Sequence, residues 1–305
     1  MSTPIVDFHA HFFSRTFFET LAAASIQPGS AQERLARVVG MTGLELPGPD
    51  TAEHVDRWHR EMDAHGVEHM VTFASVPEEI AVVADAARIS GGRLTPFALV
   101  NPCAPGAAER VRALVKQGPF RGVLLFPAVH HYHLGDPEVR PVLQVLADER
   151  ATVVVHCGLL VVKLKDLLGL PRPQDLAYAN PLDIIPAANA FPEANFVIPH
   201  FGAGFFREVL MAGSMCANIC ADTSSSNSWI STQVAEFTLT DVFRKALAVF
   251  GPERLLFGTD SCTFPRGWRN DLLAMQRAAI RDCGVSDDQA ALVLGGNALR
   301  LLARP

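Results

Sequence analysis

Eight short apolar runs, each followed by a stretch of helical periodicity, set the main limit on what this chain can fold into. The runs are IVDFHAHF, HMVTFAS, LTPFALVN, GVLLFP, TVVVHCG, NFVIPHFG, NICADTSS and LLFGTDS. They are continuous rather than alternating, as expected where helices cover both faces of a parallel sheet. Between them lie amphipathic segments such as TAEHVDRWHREMDAHG, PGAAERVRALVKQG, DPEVRPVLQVLADE and DVFRKALAVFG. Asp and Ser at their starts and Gly at their ends are the residues that helix termini select. Eight strand–helix units in 305 residues is the count of an α/β fold of (β/α)8 barrel type. A doubly wound open sheet would place a glycine-rich phosphate turn after its first strand. That position reads HAHFFSRTFF here, with no glycine.

The pattern predicts a single domain over residues 1–305, with an insertion after the first strand at about 13–51. A second long connection, Leu159 to Pro181, follows the fifth strand. Both leave the carboxyl ends of strands, where barrels of this type build their sites, so a lid or substrate wall is expected there. With 49% hydrophobic residues the chain can bury a large core. A net charge of −6 and the lack of any Lys/Arg run exclude a nucleic-acid or anionic-membrane surface. No secretion signal and no membrane-length apolar run are visible. The six cysteines are scattered without a C-x-x-C pair, and the expectation is reduced thiols in a cytoplasmic protein.

Polar groups sit where those apolar strands end. Side chains at i and i+2 of a strand share a face, so His9 and His11 project together, with Phe8 and Ala10 opposite. His156 follows TVVV, His200 lies in FVIPHFG and Asp260 in LLFGTDS, which puts them at the ends of strands 5, 6 and 8. Burying such groups without partners costs several kcal/mol each, whereas imidazoles with a carboxylate form an ordinary ligand set for a divalent cation. One such histidine would read as packing and an Asp after FGT as a helix cap. Four imidazoles and a carboxylate at one end of one barrel read as a metal centre. The second H-x-H pair, His131 and His133, falls in a loop and reads as solvated, while His54, His59, His65 and His69 read as surface or packing residues.

These residues together resemble the amidohydrolase superfamily, in particular the amidohydrolase-related branch that includes aminocarboxymuconate-semialdehyde decarboxylase. The likeness runs the length of the chain to GGNALRLLA. It implies a deformed barrel of the metallo-dependent hydrolase type holding one divalent metal, most often Zn2+, with Mn2+ or another transition metal as the variant. It implies His9, His11, His156 and Asp260 as ligands and His200 as the acid/base beside them. None of Lys116, Lys163, Lys165 or Lys245 stands at a strand end, where binuclear relatives carry a carboxylated lysine, so one ion is expected. Leu124 and Phe126 occupy positions that hold Lys and His in many relatives, which makes the local pocket more apolar.

The function expected is hydrolysis of a small carboxylated cyclic or aromatic metabolite by a metal-activated water, with His200 and Asp260 moving its proton. Non-oxidative decarboxylation on the same centre is the alternative, and a metal-structured binding protein without turnover is a further one. Arg15, Arg207 and Arg266 are candidates to hold a substrate carboxylate, because the guanidinium fork matches it. Ser225, with Ser224, Ser226 and Asn227, is a candidate for substrate oxygens; Trp229 and Trp268 are candidate walls, each with core packing as the competing role. A homodimer is expected from the resemblance.

Overall fold

The computed structural model describes residues 4–224 and 229–303. Eight parallel strands lie in chain order, each paired with the next: β1 (Ile5–His11), β2 (Val67–Ala74), β3 (Leu94–Val100), β4 (Gly122–Leu125), β5 (Thr152–Val155), β6 (Asn195–Ile198), β7 (Ile219–Asp222) and β8 (Leu255–Leu256). The last returns to the first. Phe8 N–H donates to Phe257 O (2.8 Å), Asp260 N–H to His9 O (2.7 Å) and His11 N–H to Ser261 O (2.7 Å), and these bonds close the sheet into a barrel. Among the described residues no helix is long and apolar enough to cross a membrane.

Two apolar layers result from covering both faces of that sheet. Inside the barrel every strand contributes to one cluster, with Phe8, Phe73 and Phe97 its largest members. Outside, the strands pack on the helices that follow them. The helix Thr51–His65 shows how the sequence does this: Asp50 accepts from Ala52 N–H at its start, and Gly66 ends it at φ 67°. Val55, Trp58 and Met62, three or four apart, turn to the sheet. Each large apolar side chain so buried contributes roughly 1.5–3 kcal/mol.

The insertion after β1 is helical. Ser14 caps α1 (Arg15–Ala24), a Ser30–Glu33 capping box opens α2 (Ala31–Thr42), and α3 (Thr51–His65) leads back to β2. α1 and α2 bury Phe17, Phe18, Leu21 and Leu35 in a satellite cluster that also takes in Leu168, from the long connection after β5. Ser25 Oγ donates to Leu168 O (2.6 Å) and Gln27 Nε2 to Leu167 O (3.1 Å). The two long connections therefore meet on the same side of the barrel, beyond the carboxyl ends of β1 and β5.

One expectation fails within β1. Simple alternation places Phe8 with Ala10, away from the imidazoles, yet Phe8 lies in the barrel interior, 5.9 Å from Phe97 between ring centroids. The cause is a bulge. Asp7 stands opposite Met70 and Ala10 opposite Thr72, so β1 spends three steps where β2 spends two. Asp7 holds the bulge by accepting His9 N–H (3.0 Å). Consecutive residues thus turn inward, Phe8 to fill the barrel and His9 to line its rim. The strands are also shorter than the apolar runs: β5, β6 and β8 stop at Val155, Ile198 and Leu256, so His156, His200 and Asp260 project from the loops just beyond.

Candidate metal centre

The rim where β1 meets the β8 loop gathers the first ligand-capable groups. His11 Nε2 is 3.1 Å and His9 Nε2 3.9 Å from the same oxygen, Asp260 Oδ1. Both imidazoles are aimed by their other nitrogen. His9 Nδ1 is 2.6 Å from Asp222 Oδ2, and His11 Nδ1 is 2.9 Å from Ser75 Oγ. A carboxylate accepts only, so His9 carries its proton on Nδ1 and leaves Nε2 free to ligate. Asp7, fully buried, clamps the neighbourhood by accepting His9 N–H (3.0 Å), Thr259 N–H (3.1 Å) and Trp268 Nε1–H (2.8 Å). Burial pushes its carboxyl up to about 6 against those donors.

His156 and His200 complete the ring of imidazoles. His200 is 4.6 Å from His9 and 5.3 Å from His156 between ring centroids, and Phe126 lies 4.8 Å from His156 on its other side. Nε2 of His156 is buried with no hydrogen-bond partner. An orphaned nitrogen of this kind costs about 1–3 kcal/mol unless something engages it. Beside three side chains that face one another with lone pairs, a divalent cation is what this donor set fits. His9, His200 and Asp222 also cluster within ligand distance, but His9 Nδ1 is already committed to Asp222, so that group is a hydrogen-bonded relay rather than a second cage.

His200 is delivered by a turn that sequence rules do not anticipate. Residues 200–204 all have positive φ: 56°, 49°, 79°, 43° and 110°. Left-handed backbone costs a non-glycine residue roughly 1–2 kcal/mol, so neighbours must enforce it. They do. His200 N–H points to Asp222 Oδ1 (3.4 Å), Leu159 N–H donates to Ala203 O (2.8 Å) and Gln233 Nε2 to Gly204 O (2.9 Å). A Cβ on Gly158 would stand 2.2 Å from Gly202 O, so only glycine lets the loop after His156 lie this close to the turn carrying His200. Asp260 is likewise left-handed, at φ 56°.

The field of the site suits a cation. Burial opposes charge on His9, but Asp222, Asp260 and Asp7 around it outweigh burial and draw its pKa up. Burial alone would raise Asp260 and Asp222. Instead His11, His200 and His9 hold Asp260 far below the carboxylate range, and His9 and His200 hold Asp222 down. His156 falls well below the imidazole range through burial, then through His200 and His9. His200 is lowered by burial and by His9. Neutral His156 beside ionised Asp260 is the protonation state a metal requires of both, and the carboxylates that pull His9 towards its charged form mark the site as one that attracts a cation. His11 and Asp260 retain 15% and 14% exposure, so the centre opens on their side.

Arg15 pairs with Glu19 (2.7 Å) and Arg207, 82% exposed, with Glu208 (2.9 Å), both on helix surfaces. Arg266 is exposed with Nη2 3.0 Å from Cys262 Sγ. Trp229 is buried against Phe206, and Trp268 is spent on Asp7, which gives both the packing role. Ser225, Ser226 and Asn227 fall outside the described residues. His131 and His133 are exposed, as read. Asp7, Ser75 and Asp222 were missed. Asp222 had a signal, a carboxylate closing the apolar run of β7 at the working end of the barrel, while Asp7 and Ser75 had none.

Residues 6–304 match the family model described as Amidohydrolase. No curated protein sequence matches the chain. In fold it is similar to 5-carboxyvanillate decarboxylase from Sphingomonas paucimobilis, at 15% identity and TM-score 0.68 over 100% of both chains. It is also similar to a probable 2-pyrone-4,6-dicarboxylic acid hydrolase from Acinetobacter baumannii, at 16% identity and TM-score 0.63 over 98% of each. A third likeness, at 18% identity and TM-score 0.61, covers 99% of this chain and 100% of an amidohydrolase from Burkholderia multivorans solved with bound zinc.

Proposed function

The chain belongs to the amidohydrolase family, whose members are metal-dependent enzymes, and from that premise we propose that it is a zinc-dependent hydrolase of a small carboxylated cyclic or aromatic metabolite. The observation that carries the reading is the unpartnered Nε2 of buried His156, set on the same rim as the mutually facing His9, His11 and Asp260. Those four would hold the ion. Bound there, a divalent metal supplies Lewis acidity, polarising a substrate oxygen and bringing the pKa of water to about 7.

The rest is done by side chains of the chain itself. Asp222 and Ser75 keep the Nδ1–H of His9 and His11 turned away, so both present Nε2. His200, kept neutral by burial, takes a proton from the attacking water and returns it to the departing oxygen or nitrogen, while Asp260 accepts a hydrogen bond from the same water. Water thereby adds across the acyl bond, its OH to carbon and its proton to the leaving group. Phe13 stacked on His11 (4.8 Å) and Phe126 tilted against His156 (4.8 Å) give apolar walls to a ring-shaped substrate. The two neighbours named for 5-carboxyvanillate and 2-pyrone-4,6-dicarboxylic acid support this substrate class.

Decarboxylation is the second reading, favoured by Phe126 and buried Leu124 on that wall, where a carboxylate loses solvation before losing CO2. Zinc-loaded protein assayed against lactones, esters and carboxylated aromatics separates the two by acid release against CO2 release. If no substrate turns over while zinc still binds, the chain is a metal-structured binding protein. We further propose a cytoplasmic homodimer, to be read by light scattering of the purified protein and by fractionation.

A further inference from the structure

The loop after β7 carries Ser224, fully buried, with its hydroxyl between the Asp222 carboxylate and the His200 ring. We infer that Ser224 is a positioning residue that holds His200 as the tautomer with its proton on Nδ1 and its lone pair on Nε2. The inference rests on the reading of His200 as the proton-handling group.

Hydrogen-bond bookkeeping determines the direction of every proton in this relay. Among the described residues His200 Nδ1 has two neighbours, Ser224 O at 3.2 Å and Ser224 Oγ at 2.8 Å. A carbonyl only accepts, so contact with it requires a proton on Nδ1. The hydroxyl leads to the same answer by a separate route. It owns one proton, and Asp222 Oδ1, an acceptor when ionised, takes it. That oxygen also receives Ser224 N–H (2.7 Å) and His200 N–H (3.4 Å), so it is surrounded by donors. With its proton spent on Asp222, Ser224 Oγ has only lone pairs left for His200. The order is therefore His200 Nδ1–H to Ser224 Oγ, then Ser224 Oγ–H to Asp222 Oδ1.

Two consequences follow. Nε2 is the one nitrogen of His200 able to take up a proton, and the ring that bears it stands between those of His9 and His156. The same carboxylate fixes both imidazoles that matter, His9 through Oδ2 and His200 through Ser224 at Oδ1. When Nε2 gains a proton, Nδ1–H stays in place, and the charge of Asp222 is one hydroxyl away.

The test uses the full chain with 15N-labelled histidine, metal-free and zinc-loaded, with the His200 signals assigned by their loss in His200→Gln. The wild type should show the Nδ1–H tautomer at His200 in both states. Ser224→Ala keeps the backbone carbonyl but loses the hydroxyl, so the tautomer ratio should move about tenfold toward Nε2–H, and kcat should fall in proportion to the Nδ1–H population that is lost. Zinc affinity should hold within about twofold, because the His9–Asp222 contact is untouched. Ser224→Thr, which retains a hydroxyl, should restore the wild-type signature, and it carries the comparison if the alanine variant does not fold. An Nε2–H signature in the wild type overturns the inference, as does an unmoved ratio in Ser224→Ala or a zinc affinity lost in step with it. Because the tautomer is read without turnover, an inactive parent would defeat the proposed hydrolase and leave this result standing.

Discussion

Asp222→Asn replaces one acceptor oxygen of the centre with a donor, and the geometry dictates where that donor must go. Three groups give protons to Oδ1: Ser224 N–H, Ser224 Oγ–H and, at longer range, His200 N–H. An amide NH2 cannot sit there without facing all of them. The amide therefore keeps its oxygen at that position and turns its NH2 to His9 Nδ1, 2.6 Å away in the wild type. His9 then has two options, both costly for metal binding. It can keep Nδ1–H and leave two buried donors facing each other, at about 1–3 kcal/mol each. Or it can move its proton to Nε2, which removes the lone pair that would ligate. The loss is about 2–6 kcal/mol, or about 30- to 20,000-fold in zinc affinity. Competition with a chromophoric chelator measures it, with urea unfolding of the metal-free protein as the control for the fold. Zinc affinity within about threefold of wild type, in a folded variant, would mean that His9 is not oriented through Asp222.

Other outcomes follow from the same structure. Gly158→Ala puts a Cβ 2.2 Å from Gly202 O at φ 70°, backbone against backbone, and should cost about 3 kcal/mol or more in urea unfolding; an unchanged midpoint would show that the turn carrying His200 is soft. Glu79→Ala strands Ser14 N–H and Ser75 N–H, and through Ser75 it loosens His11, so stability should drop about 2–4 kcal/mol and zinc affinity about tenfold; stability loss alone would sever Glu79 from the centre. Arg254→Met removes donors from Gly213, Cys216, Ile219, Val249 and Phe250 carbonyls and should cost at least about 3 kcal/mol, read by thermal unfolding. Burial lowers His54 and His69 from 6.5 to about 4, so the unfolded chain binds their protons first as pH falls. Their stability contribution is complete above about pH 6.5 and lost toward pH 4, up to about 3 kcal/mol each; a stability that rises on acidification through that window contradicts the assignment.

Much of this was legible because its causes are local. Continuous apolar runs foretold a covered parallel sheet, and Asp50 and Gly66 marked both ends of α3. His9, His11, His156, His200 and Asp260 stood out because a polar group closing an apolar strand is conspicuous in one dimension. What escaped depends on distant partners. The bulge that turns Phe8 inward is held by Asp7, itself bonded to Thr259 at a separation of 252 residues. The left-handed run at residues 200–204 is enforced by Gly158, Leu159 and Asp222, none adjacent in sequence. The arginines were singled out for their chemistry, and the Glu19 and Glu208 that engage Arg15 and Arg207 stand only four and one residues away, close enough to be read from the sequence.

The seam between β8 and β1 puts the order of synthesis into the architecture of the candidate centre. The first imidazoles leave the ribosome at residues 9 and 11, but the loop that bonds to them, ending in Asp260 and Ser261, is some 250 residues behind. At about 5–20 residues per second, the amino-terminal strand waits roughly 12–50 s for its neighbour. During that interval β1 is an unprotected edge bearing two imidazoles without the carboxylate they face. A nascent chain halted before residue 260 should therefore bind zinc weakly and invite chaperone capture, and competence should arrive abruptly when the final strand docks.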